Sequence, residues 1–140
     1  MGPEALFVYG SLQFPEVLFA LIDRVPQHEP ASAEGWRVVT LPERVYPGLI
    51  PGDATATGHL LTGLSPAEWR TLDAFEDPVY ELKRIDLVDG RHAWSYACNP
   101  EAEVGTDDWS AEDFEAKHLP AYVIRCAAWR RRYEDQQQVG

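Results

Sequence analysis

Thr71-Leu72-Asp73-Ala74-Phe75-Glu76-Asp77-Pro78-Val79-Tyr80 carries the chain from the end of a helix into a strand, and the rest of the architecture is read outward from it. Just upstream, Ser65 can cap the helix, Pro66 suits its first turn, and Glu68 completes a capping-box pattern. Trp69, Leu72 and Phe75 fall three apart and form an apolar stripe. Glu76 follows Leu72 by four residues and Trp69 by seven, so it points along the same stripe. A carboxyl on a buried face at the negative end of a helix dipole has its pKa pushed up. That prepares it to exchange protons near neutral pH. The alternative is a solvated helix-end glutamate paired with Lys83 or Arg84.

Upstream, Ala5-Leu6-Phe7-Val8-Tyr9 is a short apolar run rich in strand formers and bounded by Gly10-Ser11, which predicts a central strand buried on both faces. Gly10 permits a sharp turn, and the N–H groups of Gly10, Ser11 and Leu12 are candidates for a small donor cradle facing a cleft. A plain strand-to-helix turn is the other reading. Residues 14–22 read as a short helix, 23–30 as a loop with two prolines, and 33–41 as a strand. Residues 44–52 carry two prolines and two glycines among apolar residues, which predicts a stiff extended loop. Its Tyr46 can wall a pocket or pack over the core. Residues 55–64 form a strand whose Gly58 and Gly63 suggest bends, as in a small barrel. Residues 79–88 and 91–98 pair across a two-residue Asp89-Gly90 turn. The order is that of a mixed α+β domain with a strongly bent sheet.

Residues 99–108 form an acidic loop, and Ser110 with Asp113 opens a helix over 111–118. Pro120 interrupts it, a second helix runs over 121–134, and the tail from 135 frays. Arg130, Arg131 and Arg132 then lie at a helix end and complement its dipole. With 140 residues and no linker or repeat, the expectation is a single domain over 1–140, with a core at about 5–98 and C-terminal helices at about 110–134.

Composition bounds the function. A formal charge of −11 argues against nucleic acid or anionic membrane as a partner. No apolar run suits a membrane span or a signal peptide, so a soluble, cytoplasmic protein is expected. Cys98 and Cys126 have no metal-type spacing and read as free buried thiols. His28, His59, His92 and His118 make no ligand pattern, so no metal is expected. Hydrolase-elbow and glycine-rich phosphate motifs are missing. What remains is a donor cradle and an acid on a buried stripe, a pair suited to one proton shuttle and one oxyanion.

Phe7-Val8-Tyr9-Gly10-Ser11-Leu12-Gln13 and Leu72-Asp73-Ala74-Phe75-Glu76-Asp77, with Tyr80 following, resemble the signatures of the gamma-glutamyl cyclotransferase superfamily. The plant avirulence-induced-gene-like branch is the most similar, through Arg44-Val45-Tyr46-Pro47-Gly48-Leu49-Ile50-Pro51, Thr57-Gly58-His59-Leu60, and Asp108-Trp109 onward to Phe114. The resemblance spans about residues 5–134. It implies a small mixed-strand barrel with flanking helices and a cavity at one side. It also implies Glu76 as the general acid/base, with Tyr9, Gly10, Ser11, Leu12, Tyr46 and Tyr80 contacting substrate. The implied reaction releases 5-oxoproline from a small γ-glutamyl amine or peptide, without metal, cofactor or protein nucleophile. One position departs from the pattern. Where many members carry an arginine two residues after the tyrosine, this chain has Leu82, with Lys83 and Arg84 beyond, and strand alternation changes which face those two occupy. A binding module for a small acidic metabolite, and a lyase or transferase with another acyl substrate, are the alternatives.

Overall fold

The computed structural model describes residues 5–139. Its elements in order are β1 (Ala5–Val8), a 3-10 turn (Ser11–Gln13), α1 (Pro15–Ile22), β2 (Gln27–Val39) and β3 (Gly48–Thr62). These are followed by α2 (Pro66–Phe75), β4 (Tyr80–Asp86), β5 (His92–Cys98), α3 (Ala111–Lys117) and α4 (Leu119–Val139). Five strands form one sheet in the order β2-β3-β1-β5-β4. β1 is central as its composition predicts, antiparallel to β3 and parallel to β5. Its alternation splits the core. Leu6 and Val8 face a cluster with Val17, Leu21, Leu72, Phe114 and Cys126, which belong to the helices. Phe7 and the following Tyr9 face Ala33, Leu49, Leu60, Ile85 and Ala97, on the inner side of the curled sheet.

The fold is α+β, but the expected barrel is an open sheet. Its edges approach at one end, where the Val88 N–H donates to the Ser32 carbonyl at 3.0 Å. No ladder joins β2 to β4 among the described residues, so the curl stays unclosed. Three boundaries also move. β2 begins at Gln27, inside the expected loop, because Pro30 sits on an edge strand that needs hydrogen bonds on one side only. β3 begins at Gly48, inside the expected stiff loop. Its Pro51 is tolerated because β1 pairs only with residues 59–62. The β4–β5 turn has three residues, 88–90, closed by Leu87 and Arg91, with Gly90 at φ +90°.

The Ser65 capping box forms in full, and Ser110 accepts from the Asp113 N–H. Pro120 falls in the first turn of α4, which suits a helix start and not a break. α4 then continues to Val139 through Glu134 and the glutamines, good helix formers, so residues 135–139 are helical and not frayed. The three arginines therefore lie within the helix. Arg130 pairs with Asp23 at 2.6 Å and with Glu134 at 3.5 Å, and the expected dipole role does not apply.

Candidate active site

The chain leaves β1 at Tyr9 and turns at Gly10 into the short 3-10 turn. A Cβ on Gly10 would lie 2.8 Å from the Pro47 ring, so the close approach of the two segments requires glycine. The turn is pinned twice. Gln13 Nε2 donates to the Tyr9 carbonyl at 3.0 Å, and Ser11 Oγ donates to the Tyr122 hydroxyl at 3.2 Å. Among the described residues no carbonyl accepts from the amides of Gly10, Ser11 or Leu12. They are the orphan donors that every helix start leaves.

α2 delivers the acid from the other side. The Glu76 N–H makes the last helical bond, to Leu72 at 3.1 Å, and the backbone then turns extended at φ −65°, ψ 142°. Asp77 locks that exit. It accepts from Arg44 Nε at 2.8 Å, from the Tyr46 hydroxyl at 2.5 Å and from the Val79 N–H at 3.0 Å. Burial raises the Asp77 carboxyl, but the bonds from Arg44, Tyr46 and the Val79 amide outweigh it and hold it below the usual range. The loop carrying Tyr46 is fixed from behind by Trp109, whose indole N–H donates to the Val45 carbonyl at 2.9 Å.

Glu76, Tyr9, Gly10, Ser11, Leu12, Tyr46 and Tyr80 all line one cleft, joined by Pro47 and Tyr96. The structure thus brings every expected site residue together. The cleft continues into a wider mouth bounded by Phe75, Tyr122, Arg125, Trp129 and Arg132.

The aromatic lining explains the acid's chemistry. Each neighbouring hydroxyl is committed elsewhere: Tyr9 to the Tyr96 carbonyl, Tyr80 to the Pro47 carbonyl, Tyr46 to Asp77, and Tyr96 to Asp73. The Glu76 carboxyl has no hydrogen bond or ion pair among the described residues, and neither Lys83 nor Arg84 reaches it. Lys83 pairs with Glu81 instead. Burial therefore dominates and raises the Glu76 carboxyl from 4.5 to about 8, with smaller contributions from Asp77 and Asp73. Burial likewise raises the phenols of Tyr9, Tyr80, Tyr96 and Tyr122, which stay neutral donors. The arrangement holds an acid that can gain or lose a proton near neutrality, beside three unsatisfied amides. That can serve proton transfer at an atom next to a developing oxyanion.

Sequence reading missed Tyr96 and the α4 residues of the mouth. Tyr96 lies in a strand whose pairing with β1 is parallel and non-local, so no spacing in the chain points to it. For α4 a signal existed: Tyr122, Arg125, Trp129 and Arg132 repeat at helical spacing, masked by the assumption that the arginines end the helix. Leu82 packs against the helix-side core beside Tyr80. The cations of this cavity come from α4 and not from β4.

Known proteins share this fold. The chain is 43% identical over 84 residues to AIG2-like protein C of Arabidopsis thaliana, a match covering 59% of this chain, and it spans about half the length of that relative (49%). A solution structure from Arabidopsis thaliana superposes with a TM-score of 0.68 at 26% identity, covering 89% of each chain. The fold is also that of a solved gamma-glutamyl cyclotransferase, with a TM-score of 0.60 at 12% identity over 91% of this chain and 88% of that one. Residues 6–116 match the family described as gamma-glutamyl cyclotransferase, AIG2-like, and the chain belongs to that family.

Proposed function

We propose that this chain is a γ-glutamyl cyclotransferase that releases 5-oxoproline from a small γ-glutamyl compound. The observation that carries the reading is the Glu76 carboxyl, raised to about 8, in one cleft with the free amides of Gly10, Ser11 and Leu12. The γ-glutamyl group enters the inner cleft with its γ-carbonyl oxygen toward those amides. Its α-ammonium meets Glu76, and the opposite charge draws the Glu76 proton off. The resulting carboxylate takes a proton from the α-ammonium. The freed nitrogen attacks the γ-carbonyl carbon and forms the ring C–N bond, and charge develops on the oxygen facing the amides. Collapse breaks the bond to the departing nitrogen, which receives the proton from Glu76, and the ring nitrogen gives its second proton to the Glu76 carboxylate, leaving a neutral lactam. Atoms and charges balance with no protein nucleophile. The two free thiols, Cys98 and Cys126, are buried and suit a reducing compartment such as the cytoplasm.

A panel of γ-glutamyl amines and peptides, assayed for 5-oxoproline, tests the reading. Glu76→Gln keeps the shape and removes the shuttle, so release should fall about 10²- to 10⁴-fold while ligand binding persists. Full turnover in the variant would refute Glu76 as acid/base. No release from any compound, with binding retained, would favour a binding module.

A further inference from the structure

The Asp77 carboxylate takes no part in the reaction described above, yet it fastens the acid to the wall that the acid faces. Asp77 follows Glu76 directly, where the chain leaves α2. Its Oδ2 accepts from Arg44 Nε at 2.8 Å and from the Tyr46 hydroxyl at 2.5 Å, and its Oδ1 accepts from the Val79 N–H at 3.0 Å. Its carbonyl accepts from the Tyr80 N–H at 3.0 Å, which closes a turn over Pro78. The Tyr80 hydroxyl then reaches back to the Pro47 carbonyl. Residues 44–47 and 76–80 are thus tied through Arg44, Tyr46 and Tyr80, and Tyr46, Pro47 and Tyr80 form the cleft wall beside Glu76.

The same contacts arrange charge. The Asp77 side chain is 14% exposed, so water screens it little, while Arg44 is 33% exposed. Asp77 lines the mouth next to Glu76, whereas Arg44 lines neither the cleft nor the mouth. The carboxylate is therefore the charge that Glu76 feels, and the guanidinium behind it is a partial counterweight. The other charges around the acid are Asp73 on α2 and Arg125 and Arg132 on α4. The phenols of Tyr9, Tyr80, Tyr96 and Tyr122 and the Cys126 thiol are raised by burial and stay neutral.

We propose that Asp77 is a positioning residue for the reaction: held by Arg44 and Tyr46, it aims Glu76 into the cleft and sets the negative field in which Glu76 exchanges its proton. This rests on Glu76 being the acid/base of the cyclotransferase reading. A carboxylate disfavours ionisation of a neighbouring carboxyl, and a guanidinium on that carboxylate offsets part of the effect. Asp77→Asn keeps the shape and removes the charge. Arg44→Gln removes the counterweight, while Tyr46 and the Val79 amide still hold Asp77 ionised. The two variants should therefore move Glu76 in opposite directions. A clamp that acted by shape alone would loosen the wall in both, admit water to Glu76 and lower its midpoint in both.

The test titrates the full chain, with carbon-13 in its glutamate carboxyls, by NMR; the Glu76 signal is the one missing from Glu76→Gln. Asp77→Asn should lower the Glu76 midpoint by about half a pH unit or more, and Arg44→Gln should raise it by a similar amount. Arg44→Lys, which restores the charge, should bring the midpoint most of the way back. The ascending limb of kcat/KM for 5-oxoproline release, set by Glu76 in the free protein, should follow each shift in sign. Melting curves check folding, and Arg44→Met is the second neutral replacement should Arg44→Gln not fold. A midpoint that falls or stays unchanged on neutralising Arg44, or that stays unchanged in Asp77→Asn, overturns the inference. Release of 5-oxoproline without the opposite shifts overturns this inference alone. Opposite shifts in a protein that releases none from any γ-glutamyl compound overturn the cyclotransferase reading and leave the hold of Asp77 on Glu76 standing.

Discussion

Glu76→Gln should stabilise the protein in alkali and leave its stability in acid unchanged. The folded state raises this carboxyl from 4.5 to about 8, so folding favours the protonated form. The associated stability is therefore present in full below pH 4.5, declines as pH rises toward 8, and is lost above it. At 1.36 kcal/mol per pH unit, the full displacement corresponds to a ceiling of about 5 kcal/mol. The carboxyl opens on a cleft that water can enter, and relaxation there reduces the figure to about 2–3 kcal/mol. Glutamine occupies the same volume and does not titrate. Urea unfolding of both proteins at pH 5 and pH 9 isolates the effect, because every other titrating group cancels in the difference. The variant should gain about 2–3 kcal/mol relative to the unmutated chain between the two pH values, seen as a shifted midpoint at constant m. An identical difference at both pH values would mean that Glu76 is solvated, and the proton-shuttle role would fall with it.

Two further substitutions test how the site is held. Gly58→Ala would set a Cβ 2.1 Å from the Val8 carbonyl oxygen, a backbone atom that cannot swing away, and should cost about 2–4 kcal/mol in urea unfolding. Loss of under about 0.5 kcal/mol would show that β1 and β3 can separate there freely. Phe114→Ala removes a ring packed between Phe14, Trp109 and Tyr122 and should cost about 3–5 kcal/mol. Unfolding should remain one cooperative transition, since Phe114 joins α3 to the core built on β1; an early separate transition would contradict that shared core.

Much of the site was legible locally, for physical reasons. A capping serine, a proline in a first turn and an apolar stripe act within one or two helical turns, so α2 and the placement of Glu76 at its end follow from residues 65–76. The continuous apolar run of β1 signals a strand covered on both sides, and the two core clusters meet across it. Gly10 marks the turn because only a residue without Cβ fits against Pro47. Prolines misled where their cost depends on neighbours: Pro30 and Pro51 sit in strands whose nearby edges are unpaired, and Pro120 starts a helix.

The sequence by itself determined the α+β class, the central strand, the capped helix and the two motifs that carry the candidate site, because each depends on contacts between near neighbours in the chain. The tertiary structure alone decided that the sheet stays open, that Tyr96 joins the cleft through a parallel pairing, and that Arg125 stands over the mouth from α4. It also decided the acid's strength. Desolvation of Glu76 requires the hydroxyls of Tyr9, Tyr46, Tyr80 and Tyr96 to be bonded to the carbonyls of Tyr96 and Pro47 and to Asp73 and Asp77, an arrangement spread over some ninety residues of chain that no local spacing encodes.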